Sequence, residues 1–247
     1  MNHITAASLI DLNTPPNRND PKILAGALTD DAVTIEVGDN SYNFPHLAHV
    51  DDEVNAIAAL SSTATPLLDT DFNRARIERD ANRHTILHLA THAKFLVGQP
   101  EDSFILFNNK ERWTLRDFKD GLLNLTHVDL VVLSACETGV DNTFGNGEEI
   151  LGFGYLMQNA GARAAISSLW AVDDGGTQIL MGEFYKALLL GNLSKTAALQ
   201  QAQLALININ ENSDRGGLEL AESIGLDPNN LSHPYYWAPF ILIGNGL

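Results

Sequence analysis

The sequence predicts an α/β protein with a mainly parallel central sheet flanked by helices. Three observations carry that prediction. Short apolar runs alternate with longer segments of helical periodicity, the pattern of strand–helix–strand units. The run VDLVVLSA (128–135) is apolar almost throughout, as a strand covered on both faces must be. The chain of 247 residues is also long enough to bury one substantial core. The first 20 residues, with Pro15, Pro16 and several Asn, read as a flexible lead-in, leaving 21–247 as one domain.

In chain order, PKILAGAL (21–28) and AVTIEV (32–37) read as strands. DDEVNAIAAL (51–60) has an acidic start and apolar residues at helical spacing, so it reads as a helix. TPLLD (65–69) is short and extended, and DFNRARIERDANR (71–83) is a charged amphipathic helix opened by the capping residue Asp71. TILHLAT (85–91) and SFILF (103–107) are strands, and TLRDFKDGLL (114–123) is a helix that Thr114 can cap. Beyond the central strand, EEILGFGYLMQNAG (148–161) is a helix ending at Gly161, and ARAAISSLW (162–170) is a buried strand. Helices over 173–191 and 194–209 follow, then a long loop with a partial helix over 208–234, and a last strand, WAPFILIG (237–244). There is no internal repeat and no low-complexity block.

Composition excludes several classes of function. Hydrophobic residues are 45% and charged residues 19%, ordinary for a soluble globular protein. No apolar run approaches the roughly 18 residues of a membrane helix. The N-terminus lacks the basic start and apolar stretch of a secretory signal, so a cytoplasmic protein without membrane contact is expected. With 31 acidic and 15 basic residues the net charge is −16, which repels phosphate backbones and argues against direct nucleic-acid binding. The same field favours a basic peptide or partner, although net charge also simply maintains solubility. A single cysteine allows neither an internal disulfide nor a Cys-rich zinc site. His88 and His92 are four residues apart on one strand face, but no HExxH pattern or supporting carboxylate accompanies them, so no metal is expected. Gly145, Gly147, Gly152 and Gly154 imitate a phosphate loop, yet no GK[ST] follows, and Glu148 and Glu149 occupy the helix start where phosphate would bind.

In an open parallel sheet, function gathers in the crevice beyond the carboxyl ends of the strands. The strand TILHLAT runs into His92, and VDLVVLSA runs into Cys136. If these strands are neighbours, both side chains project into one crevice, the arrangement a Cys/His hydrolase requires. Cysteine attacks as thiolate, and an imidazole beside it stabilises that thiolate and later protonates the leaving amine. The backbone N–H groups of Cys136 and Ala93 are the obvious oxyanion donors. Glu137 either orients His92, lines the substrate cleft or caps a loop.

The blocks HLATHA (88–93), VDLVVLSACETG (128–139), GEEILGFGYLMQNAGARAAISSLWAVDD (147–174) and HPYYWAPFILIG (233–244) closely resemble the CHAT domain. They occur in family order from about residue 84 to the C-terminus. The CHAT domain is caspase-like, often joined to TPR repeats, and more distantly similar to separase. The resemblance implies a caspase-like three-layer sandwich and a cysteine endopeptidase that works through a Cys136–His92 dyad, without metal or organic cofactor. Many caspase-like enzymes have Gly directly after the histidine; here it is Ala93, whose N–H is retained with less backbone freedom. By the same resemblance Trp170 is an apolar lid over the substrate groove. Asp173 and Asp174 match acidic positions that meet an arginine side chain, which favours a basic P1 residue. Asp173 is equally suited to cap the next helix. The resemblance also implies a protein or peptide substrate, low basal activity, and control by a regulatory protein or TPR-type partner. Self-cleavage within 140–147 or near 208–234 is compatible with it. The alternative is a catalytically silent caspase-like signalling or scaffold module, against which the intact His92 and Cys136 argue. A nucleotide-binding α/β protein lacks its phosphate motif here.

Overall fold

The most apolar of the sequence-predicted strands lie at the centre of a seven-stranded sheet. A computed structural model of the chain describes residues 2–3, 21–96, 98–134, 148–168, 172–210 and 216–247, with backbone alone at 2–3, 148–152 and 155. In chain order the strands are β1 (Asn2–His3), β2 (Ile23–Ala27), β3 (Val33–Val37), β4 (Asn40–Phe44), β5 (Thr65–Leu67) and β6 (Ile86–Ala90). They continue with β7 (Ala93–Lys94), β8 (Phe104–Leu106), β9 (Arg112–Thr114), β10 (Leu130–Leu133), β11 (Ala164–Ser168) and β12 (Phe240–Gly244). The helices are α1 (Val50–Leu60), α2 (Arg74–Asp80), α3 (Leu115–Lys119), α4 (Glu148–Asn159) and α5 (Asp174–Tyr185). After them come α6 (Lys195–Ile207), α7 (Gly216–Ser223), α8 (Pro228–Leu231) and α9 (Pro234–Trp237).

The main sheet has the order β1-β12-β11-β10-β6-β2-β5. Its neighbours are parallel except β11 and β12, which run antiparallel. β2, β6, β10, β11 and β12 are buried at every position, which is possible only because helices cover both faces. Alternation along each strand divides the core in two. Leu87, Leu89, Val131 and Leu133 face a cluster that includes Ile77, Trp113, Phe118, Phe153 and Met157. Ile86, Ala90, Leu130 and Val132 face the cluster of α1, α5 and α6, with Val54, Ile57, Leu180, Phe184 and Leu199. This is the expected three-layer sandwich. Among the described residues no helix is long and apolar enough to cross a membrane.

Local signals fixed several boundaries. Thr114 caps α3 in a reciprocal box with Asp117, each side chain accepting from the other's backbone N–H. Asn73 rather than Asp71 caps α2, because Asp71 is taken up in a 3₁₀ turn over Asp69–Asp71. The helix expected over 173–191 ends as α5 at Tyr185 and continues as a π-helical stretch, Lys186–Leu190.

The structure adds four strands, β1, β4, β7 and β9, to those expected. β3 and β4 pair across a two-residue loop, with Gly38 at φ 59° in the position where hairpins favour glycine. Short β7 and β9 flank β8 in a separate antiparallel sheet. Within 208–234 the described residues also form more helix than the partial one expected. Asp227 before Pro228 and His233 before Pro234 start α8 and α9, with proline in the first turn. Ala221 and Leu231 anchor the segment in the α1/α5/α6 cluster.

Candidate active site

β6 and β10 are adjacent and parallel, with Leu133 opposite Leu89. The condition set by the sequence is therefore met, and the two chains leave the sheet side by side, about 4.8 Å apart. The Ser134 N–H donates to the Leu89 carbonyl at 3.0 Å, which extends the pairing one residue past the strand. Cys136 follows two residues later. Cys136, Glu137 and Trp170 lie outside the described residues.

His92 is 2% exposed. Regular pairing in the main sheet stops at Ala90, and the chain then joins the β7–β9 sheet, where the His92 carbonyl accepts from Leu106 N–H at 2.9 Å. The Thr91 hydroxyl donates to the Leu106 carbonyl at 2.8 Å and locks the same turn. The imidazole packs on Phe44 of β4, with ring centroids 5.0 Å apart, and its Nε2 lies 2.9 Å from the Pro45 carbonyl oxygen. A carbonyl only accepts, so Nε2 carries the proton and, in the neutral ring, Nδ1 holds the lone pair. Nδ1 is buried with no partner among the described residues. Burial pushes the His92 pKa down to about 4, with the Pro45 bond acting the other way. His92 is thus a neutral base with one nitrogen anchored and the other unspent.

Ala93 pairs with Ile105 across the antiparallel β7–β8 ladder. Since Leu106 and His92 form a hydrogen-bonded pair, Ala93 and Ile105 form the alternate kind, in which the N–H points away from the partner strand.

Beneath the strand ends is a polar group that the sequence reading did not foresee. Glu53 of α1 is buried, with its side chain 1% exposed. Its Oε1 accepts a short hydrogen bond from the Ser134 hydroxyl. His88 Nε2 lies 2.9 Å from the same oxygen but is not aimed along a hydrogen bond to it. His88 Nδ1 is 3.1 Å from the Tyr185 hydroxyl of α5. The expectation that His88 and His92 share a face does not survive this geometry. His88 looks toward α1 and α5, and His92 packs on Phe44 of the opposite cluster, because strand alternation ends before residue 92. Among the described residues no group of three or more His, Cys, Asp and Glu is arranged to hold a metal.

Asp173 caps α5, its Oδ1 accepting from Gly176 N–H at 2.8 Å. The Asp174 Oδ2 accepts from the His49 N–H at the start of α1, also at 2.8 Å. Partial burial holds the Asp174 carboxyl above its ordinary pKa. Both sit at the carboxyl edge of the sheet, since β11 is parallel to β10. Tyr236 packs directly against Gly176, and Ile224 and Leu226 against Gly175, so the α7–α9 segment walls this side. Glu53, Pro45 and this wall are what the sequence reading missed. Only the Asp-Pro and His-Pro helix starts offered a signal; a glutamate in the first turn of a helix is too common to stand out.

The class of protein follows from the sheet as a whole. A mainly parallel sheet between two helical layers, reversed only toward its β12 side, with its polar groups gathered at the carboxyl edge, is the caspase-like fold. Within that class the chain belongs to the CHAT-domain family, whose model matches residues 3–245. Solved structures of like fold include two of gingipains. One is the Arg-specific cysteine proteinase gingipain R, at 13% identity and a TM-score of 0.51, covering 97% of this chain and 51% of that one. The other is the complex of the RgpB pro- and mature domains of Porphyromonas gingivalis, at 12% identity and a TM-score of 0.54, covering 97% and 52%. This chain spans about half the length of those it matches, and likeness at such identity shows the fold alone. No curated protein matches the sequence.

Proposed function

We propose that this chain is a cysteine endopeptidase, with Cys136 as nucleophile and His92 as general base and acid. The observation that carries the reading is the adjacency of β6 and β10. It sets a buried, neutral His92, anchored through Nε2, beside the strand that leads to the lone cysteine. His92 Nδ1 takes the thiol proton, and Cys136 Sγ adds to the scissile carbonyl carbon. The oxyanion is held by the backbone N–H groups of Ala93 and Cys136. Nδ1–H then protonates the amine nitrogen as the C–N bond breaks, leaving a thioester. Water next gives a proton to Nδ1 and its oxygen to the acyl carbon, which frees Cys136. Proton transfer by a positioned imidazole contributes on the order of 100- to 10,000-fold.

The substrate in this reading is a protein with a basic P1 residue, met by Asp173 and Asp174, with Trp170 and Glu137 lining the cleft. The net charge of −16 supports a cationic substrate, and gingipain R, of like fold, is an Arg-specific cysteine proteinase. A regulatory protein, of TPR type or another, raises a low basal activity. Mass spectrometry of a diverse peptide library, incubated with wild-type and Cys136→Ala protein, tests the assignment. Cuts that depend on Cys136 and follow Arg or Lys are expected; identical cuts by Cys136→Ala would overturn it.

A further inference from the structure

We infer that Glu53 is a positioning residue that holds the end of β10 in place relative to His92. The inference rests on the peptidase reading above. Bringing a carboxylate to near-zero exposure carries a heavy desolvation penalty, and an apolar residue of similar size would pack here at less cost. The dipole of α1 does not account for it, because Asp51 and Asp52 already occupy the first turn and are exposed. What distinguishes Glu53 is what it reaches. Its Oε1 meets Ser134 at the end of β10 and stands 2.9 Å from His88 on β6. His88 is opposite Val132 in the register, so one oxygen is hydrogen-bonded to the first and lies against the second of the two strands that lead to Cys136 and His92.

The same stretch of chain reaches the rest of the site. Eight residues earlier, the Pro45 carbonyl holds His92 Nε2; four residues earlier, His49 N–H holds Asp174. Residues 45–53 therefore touch the exit of β6, the exit of β10 and the segment after β11. The spacing of base and nucleophile strand is set by one short piece of backbone that is helical from Val50 onward. Glu53 is its only side-chain link to Ser134 among the described residues. Behind it, the Tyr185 hydroxyl lies 3.1 Å from His88 Nδ1 and fixes that ring from the far side.

The test compares Glu53→Ala, Ser134→Ala and their double variant in the full chain. Each single change is expected to lower kcat on a Cys136-dependent peptide by roughly 10- to 100-fold, the size of effect that about 1 Å of misplacement produces. KM should stay within about twofold, since the loss falls in the chemical step. The double variant should be no slower than the slower single variant, because both break the same link. Glu53→Gln keeps an oxygen acceptor for Ser134 and should recover most of the rate. A purely stabilising Glu53 would instead lower Tm and leave kcat of the folded protein unchanged. That result in Ser134→Ala, which removes only one oxygen atom, overturns the inference even if Glu53→Ala does not fold. Two further readouts separate this failure from failure of the peptidase reading. They are the alkylation rate of Cys136 by iodoacetamide and hydrogen exchange of the amides at 130–134. A wild-type chain that cuts nothing, with an alkylation rate indifferent to His92→Ala, defeats the peptidase reading. Faster exchange and altered alkylation in Ser134→Ala then still support positioning by Glu53, and unchanged values reject it.

Discussion

Acid should weaken this protein through His92 by a calculable amount. The imidazole is 2% exposed, and burial lowers its pKa from an ordinary 6.5 to about 4. Below pH 6.5 the unfolded chain binds a proton that the folded chain refuses until about pH 4. The unfolded state thus holds more protons across that window, and stability falls as pH falls. The contribution is fully present above pH 6.5, is lost between 6.5 and about 4, and changes no further below that. At about 1.36 kcal/mol per pH unit the loss is roughly 3 kcal/mol, a sizeable share of the roughly 5–15 kcal/mol that holds a domain folded. Urea unfolding of wild-type and His92→Gln protein at about pH 7 and about pH 4 measures it, since the variant has no imidazole to protonate. Asp174, whose raised carboxyl works in the opposite sense, is common to both proteins and cancels in the comparison. The wild type should lose about 3 kcal/mol more than the variant over this range. Equal losses would refute the reasoning and mean that His92 takes up its proton as readily in the folded protein as in water.

Asp173 separates its two roles cleanly. Asp173→Asn keeps an oxygen for the Gly176 N–H and should leave Tm unchanged, whereas Asp173→Ala should cost about 1 kcal/mol of stability. If its charge also meets the substrate, Asp173→Asn raises KM for peptides with Arg at P1; an unchanged KM assigns it to capping alone. Gly26→Ala probes the packing of β2, because the added Cβ would lie 2.2 Å from Cδ2 of the fully buried Phe72. The expected destabilisation is about 1–3 kcal/mol by chemical denaturation, and an unshifted midpoint would show that the Phe72 ring has room to move.

Much of the framework was legible because it depends on local pattern. VDLVVLSA is too continuously apolar to be anything but a strand covered on both sides, TILHLAT is a strand candidate beside it, and each runs into a residue type a hydrolase needs. Thr114 and Asp173 cap where their side chains suggested. β7 and β9 escaped because two or three residues carry no periodicity, and they exist only through pairing with β8. Of the helices of 216–237 only a partial one was expected, because they are short, and a few buried anchors such as Ala221 and Leu231 hold them to the core.

The sequence by itself determined an α/β fold with a mainly parallel sheet and the two strands that lead to His92 and Cys136, while the three-layer sandwich came with the family resemblance. Hydrophobic periodicity and the chemistry of a lone cysteine are local properties and survive without coordinates. Only the tertiary structure decided that β6 and β10 are neighbours in register, that Pro45 takes one nitrogen of His92, and that Glu53 reaches Ser134 from α1. Those contacts join residues 44, 47 and 81 positions apart. They arise from which strand pairs with which and which helix covers them, and such pairing leaves no mark on the residues flanking either partner.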